Sequence, residues 1–391
     1  MISPAGHLLI LLPLKNQGGP VQISSTRPRH VHQLFCDKPL KYVLQTTPLL
    51  FNVCRHAQTI ATARAMEGAL GYTATKSTEQ LRDTLVSLEA LYEHLWKLLI
   101  DLPPLLGLPV RHQEMAKVSQ QLKPLMDKLH QACNLIKLTE TSLELKNSPT
   151  HLDLSLTHEL GTLLFGQTAR PEGSWSELQH NKGLAGNLLR AIAPLDWPNT
   201  FHSHQLPAID STEARTLLAT QDPHQFIHQY SSAHSNRFET GALLRMFNQP
   251  LVKQSREEHN HCLSMRMTAL LVETDLLLQG TQFPRQDNKS ITSVSEQGHS
   301  EVETTRGRLT HALSLKKNSS GEPVIKNIAI VAPTDWNFHP NGAAAQLLSE
   351  IPTVSKEKTY QSAELLIQLI NPCVAYHLEV TNSTTEASYH A

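Results

Sequence analysis

The sequence predicts a mainly α fold with a smaller β component (α+β). Two long stretches carry apolar residues at helical spacing: Leu81, Leu85, Leu88, Leu91, Leu95 and Leu98, then Met115, Val118, Leu122, Leu125, Leu129 and Ile136. Two pairs of short apolar or β-branched runs flank turn clusters: Leu8–Leu14 with Val21–Thr26, and Leu309–Leu315 with Val324–Val331. At 391 residues and 40% hydrophobic content the chain suffices for one large core or two to three domains.

In chain order, Asn16-Gln17-Gly18-Gly19-Pro20 closes the first strand pair into a hairpin. His56–Leu70 has high helix propensity, and Ala57, Ala61, Ala63 and Ala65 permit close packing, with Gly71 as C-cap. Ser77 and Gln80 have the spacing of a capping box for the first leucine helix, which Pro103-Pro104 should stop. Its partner runs over His112–Leu138, kinked at Pro124, and the two make a helical hairpin. Between Ser148 and Pro223 the pattern weakens around the Pro171-Glu172-Gly173-Ser174 turn; Leu184–Ala193 and Ser211–Ala219 read as helices. A further helix is expected over Glu257–Leu278, then a polar, aperiodic stretch Gln286–Glu301 that reads as linker or loop. Lys317-Asn318-Ser319-Ser320-Gly321 joins the second strand pair, and helices follow over Gly342–Ser349 and Lys356–Ile370. Val380–Ala391 reads as a loose polar tail. The resulting division is 1–30 hairpin, 31–146 helical region, 147–285 helical middle, 286–304 linker, 305–379 hairpin with C-terminal segment packed on the helical body, and 380–391 tail.

Lys plus Arg is 34 against 35 Asp plus Glu, with no basic run or basic–aromatic alternation, which argues against a nucleic-acid partner. No stretch approaches the roughly 18 apolar residues of a membrane span, and Leu8–Leu14 lacks the flanks of a signal peptide. Five cysteines, odd in number and widely spaced, form no disulfide framework, so a cytoplasmic location is expected. Cys36, Cys133 and Cys262 read as small core hydrophobes. The 22 histidines are scattered without metal-ligand spacing, and most are taken as surface residues.

Two segments stand apart: Leu49-Leu50-Phe51-Asn52-Val53-Cys54 and Asn371-Pro372-Cys373-Val374-Ala375-Tyr376. They resemble the R-x-C-G-x-C and D-P-C-x-x-C motifs that hold nickel and iron in the [NiFe] hydrogenase large subunit. Arg306-Gly307-Arg308-Leu309-Thr310-His311 resembles that family's A-P-R-G-x-L-x-H, and Val331-Ala332-Pro333-Thr334-Asp335-Trp336-Asn337 its V-x-P-T-T-W-N. These tags in the family's order imply a [NiFe] hydrogenase large-subunit-like fold. The departures are equally specific. Phe51 and Tyr376 stand where the family has its other two cysteines, Leu49 replaces Arg, and Asn371 replaces Asp. Glu379 stands where the family has the His that marks tail removal, so Val380–Ala391 is expected to stay attached. The pattern is similar to the HupK/HoxV type of hydrogenase expression/formation proteins.

What the resemblance implies is a non-catalytic maturation factor. Four thiolates hold the family's nickel; with two gone, no nickel is expected. Two thiolates suit an iron whose other ligands are diatomic, so Cys54 and Cys373 are the expected ligands of a transient Fe(CN)2(CO) unit. Buried cyanides need donors, and Arg306, Pro333 and Thr334 are the expected groups around them. His56 and Gln58 are candidates for the surrounding shell. Implied partners are the maturation chaperones carrying the iron fragment, their iron–sulfur partner and the hydrogenase large-subunit precursor. The alternative is a metal-free large-subunit mimic that binds those chaperones or the small subunit. A divergent active hydrogenase is disfavoured by the lost cysteines.

Overall fold

The computed structural model describes residues 6–14, 19–27, 31–133, 152–166, 170–171, 173–200, 204–234, 236–283, 296–352 and 355–381. Strands β1 (His7–Pro13) and β2 (Gln22–Ser25) form the expected antiparallel pair, Ile10 opposite Ile23. Leu8, Ile10 and Leu12 alternate into the core. Helices α1 (Val31–Phe35) and α2 (Leu40–Leu50) follow, and a single 3-10 turn, Asn52–Cys54, leads into α3 (Arg55–Leu70).

Helix α3 is buried on every side except at its end residues, which its run of alanines allows. Gly71, at φ 68, closes it as expected. Helix α4 (Lys76–Trp96) is capped two residues before the expected Ser77: the Thr75 hydroxyl accepts the Thr78 N–H at 3.2 Å. Nor does Pro103-Pro104 stop the chain's helical course. A five-residue π segment, Lys97–Asp101, leads into the short α5 (Leu102–Leu105), whose first positions tolerate proline because their N–H groups need no helical partner. Helix α6 (His112–Ala132) packs on α4, with Met115, Val118, Leu122 and Leu129 buried; 134–138 of its expected range lie outside the described residues.

The weakly patterned middle holds α7 (Leu154–Phe165), α8 (Trp175–His180), α9 (Leu184–Ile192), β3 (His204–Gln205), α10 (Ser211–Thr220), α11 (Pro223–His234), β4 (Phe238–Glu239), α12 (Ala242–Arg245) and α13 (Pro250–Gln254). The helix expected from Glu257 starts only at Cys262, as α14 (Cys262–Leu278), because Asn260 adopts φ 49 after a π turn. Like α3, α14 is buried all round, with only Leu276 escaping.

The expected linker is the largest correction. Its C-terminal part is strand β5 (Gln297–Thr304), paired antiparallel with β6 (Gly307–Lys317), which pairs in turn with β7 (Pro323–Val331). The stretch is polar, yet its side chains find partners in the core. The Ser300 hydroxyl donates to the Ala61 carbonyl at 2.7 Å, and Glu303 pairs with Arg245 and Arg308. Positions 284–295 lie outside the described residues. One face of this sheet packs on α3; on the other, α10, α11, Phe238 and Trp336 form a second, smaller core.

The chain ends with α15 (Pro333–Asn337), α16 (Ala343–Glu350), α17 (Lys356–Ile370) and β8 (Ala375–Thr381). Strand β8 begins in the second cysteine segment and pairs parallel with β1, Leu8 opposite Tyr376, so the sheet order is β2-β1-β8. The expected loose tail is corrected at its start, since Val380 is buried in this sheet; 382–391 lie outside the described residues. No helix among the described residues is long and apolar enough to cross a membrane.

Candidate metal centre at Cys54 and Cys373

Cys54 sits at the N-cap of α3, and Cys373 in the turn between α17 and β8. Asn371 ends α17 in the left-handed conformation, φ 64, which asparagine tolerates better than most residues. Both cysteines are half-buried and free. They lie close enough that charge on Cys373 raises the Cys54 pKa. Burial acts first on Cys54, then Cys373 and Glu89, and together they push its thiol up to about 12 against the opposing Arg306 and Gln58. Without a metal the Cys54 thiol keeps its proton, and any metal bound there must displace it.

Among the described residues each sulfur has one side-chain hydrogen-bond donor. Gln58 Nε2, one turn along α3, donates to Cys54 Sγ at 3.8 Å. Thr334 Oγ1 donates to Cys373 Sγ at 3.1 Å and accepts the Cys373 N–H at 3.0 Å. Pro333 fills the first position of α15 and thereby presents Thr334. The ring of His56 is turned elsewhere: it accepts from Arg55 Nε at 3.2 Å and meets His130 Nδ1 at 3.2 Å. Burial, helped by Arg55 and His130, drives its pKa down to about 3, so it is neutral.

Arg306 occupies the β5–β6 turn. Its Nη2 donates to Glu93 at 2.9 Å, while Nε and Nη1 are buried and have no partner among the described residues. Burial works against its charge; Glu93, Cys54 and Cys373 restore it and hold its pKa above the ordinary value. These two bare nitrogens, with three N–H bonds between them, fit an anionic or lone-pair-bearing ligand beside the thiols. Among the described residues no group of three or more His, Cys, Asp or Glu is placed to hold a metal ion. A cavity of about 810 Å³ opens at Cys373, lined also by Val53, Glu93, Trp96, Arg306 and Tyr376. Tyr376 is tied to α17: its hydroxyl donates to Glu364 at 2.5 Å and accepts from Gln368.

Three groups escaped the sequence reading. Arg27, just after β2, ion-pairs with Asp335, and its charge interacts with both sulfurs. Asp335 also accepts the Ala332 N–H at 2.8 Å, so it caps the helix carrying Thr334. Glu89, from α4, accepts the His56 and Ala57 N–H groups at 2.9 and 3.0 Å, placing a carboxylate at the N-terminus of α3. Burial raises its pKa to about 7. Asp335 alone carried a local signal, three residues after Ala332 at a helix start; Arg27 and Glu89 carried none.

The fold class agrees with similarities to known proteins. The chain superposes on the [NiFeSe]-hydrogenase of Dm. baculatum with TM-score 0.50 and 14% identity, covering 94% of this chain and 99% of that one. In sequence it is 27% identical to the hydrogenase expression/formation protein HupV of Azotobacter chroococcum over 390 residues, 97% of this chain and 100% of the relative. It is 24% identical to HupK of Azotobacter vinelandii over 404 residues, again 97% and 100%. HoxV of Cupriavidus necator is 38% identical over 81 residues, 21% of each chain. No protein-family model matches the chain. The chain thus has the [NiFe] hydrogenase large-subunit fold. Over nearly its full length its sequence is similar to those of the hydrogenase expression/formation proteins HupV and HupK.

Proposed function

We propose that the protein is a non-catalytic maturation factor on which the Fe(CN)2(CO) unit of a hydrogenase is held before transfer. The unit is the protein's cargo, and its suppliers and recipients are the maturation chaperones and the large-subunit precursor. The observation that carries this reading is the pairing of two thiols with a buried guanidinium whose Nε and Nη1 lack partners among the described residues. Cys54 and Cys373 supply two soft ligands, and Arg306 supplies donors for cyanide nitrogens. Thr334 steadies Cys373, and Pro333 steadies Thr334. The names of the relatives support a role in hydrogenase formation.

A metal-free mimic that docks chaperones or the small subunit is favoured by one observation. Leu49, Leu50, Val53 and Trp96 are exposed, the latter two at the cavity itself. Infrared spectra of protein purified anaerobically from cells containing the maturation machinery separate the readings. Cyanide and carbonyl bands are expected in the parent protein and absent from Cys54→Ala and Cys373→Ala. Lack of bands in the parent, with both variants still supporting hydrogenase formation, contradicts the scaffold and leaves the mimic.

A further inference from the structure

Gln58 serves Cys54 only if its amide points the right way. The amide has a donor end and an acceptor end, and a half-turn about its terminal bond would set the oxygen against the sulfur instead. Its Oε1 meets His311 Nε2 at 2.8 Å, while its Nε2 faces Cys54 Sγ at 3.8 Å. His311 lies on β6, wholly buried, and its other nitrogen, Nδ1, meets the Thr62 hydroxyl at 3.2 Å. That hydroxyl also lies 2.9 Å from the main-chain carbonyl oxygen of Gln58, and its single hydrogen serves one of the two; turned to Nδ1, it leaves that carbonyl its helical N–H partner. An imidazole nitrogen facing an amide oxygen must carry the hydrogen, and the nitrogen facing a hydroxyl can accept from it. Burial pushes the His311 pKa down to about 3, so the ring is neutral and holds a single N–H.

We propose that His311 is a positioning residue for the thiol centre: its Nε2–H holds the Gln58 oxygen and so directs the amide N–H at Cys54. His311 touches neither sulfur; it acts through Gln58. Thr62 completes the arrangement by occupying Nδ1, one turn of α3 beyond Gln58. The β6 strand thereby reaches the first cysteine across the helix that carries it. The part this plays in tuning an iron ligand rests on the cargo reading above. The geometry itself concerns the sulfur with or without metal.

The test uses the full-length, metal-free protein and iodoacetamide, with the alkylation rate of each cysteine followed by peptide mass spectrometry near pH 8. Cys373 in the same molecule is the internal reference. A donor to sulfur favours the reactive thiolate, so Gln58→Leu should lower the Cys54-to-Cys373 rate ratio, by about 3- to 10-fold for a long bond to a charged acceptor. His311→Phe should lower it by a similar factor, and the double variant no further, since both remove one interaction. His311→Gln, which keeps a donor for Gln58, should restore most of the ratio even if the bulkier replacement disturbs folding. An unchanged or raised ratio in Gln58→Leu, multiplicative effects in the double variant, or no recovery in His311→Gln overturns the inference. That failure is independent of the infrared bands, whose absence would strike the cargo reading while leaving the alkylation ratios as expected.

Discussion

At the scale of residues, the site is governed by which charges are matched. Arg27 with Asp335 and Arg306 with Glu93 are guanidinium–carboxylate pairs around the two sulfurs, and Glu89 sits apart on the backbone of α3. Glu89 is the group whose titration should be visible in stability. Its pKa is raised to about 7 from an ordinary 4.5 by burial, so the folded chain holds this proton more tightly than the unfolded chain. Its contribution is complete below about 4.5 and is lost as pH rises through 7. Glu89→Gln removes the slope. Relative to the parent, the variant should gain on the order of 3 kcal/mol between pH 4.5 and pH 8 in urea unfolding. A difference that stays flat across that range would contradict the account of Glu89. The cysteines, Arg306 and Thr334 were legible in the sequence because each sits in a segment with an ordered resemblance. Arg27, Glu89 and Glu93 were not, because an Arg after a strand or a Glu on a helix acquires its role only when distant elements meet. Five histidines, His56, His94, His299, His311 and His339, are buried, which scattered spacing gave no means to foresee.

At the scale of elements, the site depends on how closely α3 and β5 approach. Gly298 of β5 lies against α3 so tightly that a Cβ there would fall 2.0 Å from the Ala65 carbonyl oxygen and 2.5 Å from the Ala69 N atom. Both neighbours are backbone and cannot swing aside. Gly298→Ala should therefore cost about 1–3 kcal/mol of stability, read as a lowered midpoint in urea unfolding. An unaffected midpoint would mean that the two elements can separate without penalty. The alanines of α3 announced close packing, but what packs there did not show in sequence. Strand β5 is polar because its side chains have buried partners, and polarity without period reads as a loop. The start of α11 was more accessible: the Asp222 carboxylate accepts the His224 N–H at 2.9 Å ahead of Pro223, a cap-and-proline signal that weak periodicity obscured.

At the scale of the whole molecule, the chain's two ends close on each other. Strand β1 opens the described chain and β8 closes it, their parallel pairing running from His7 with Ala375 to Pro13 with Thr381. This pairing fixes the turn that holds Cys373, while α3, wedged between the β5-β6-β7 sheet and the α2 and α4 helices, fixes Cys54. Parallel pairing between strands some 370 residues apart has no local signature, so the sequence showed the first hairpin and missed its third strand. The central claim is that two protein thiolates, and only two, hold an iron that brings its other ligands with it. X-ray absorption at the iron edge of anaerobically purified, iron-loaded protein counts those ligands directly. The account predicts two sulfur neighbours and a shell of short iron–carbon distances, with one sulfur lost in either Cys54→Ala or Cys373→Ala if iron is still retained. Four sulfurs, or none, would contradict it.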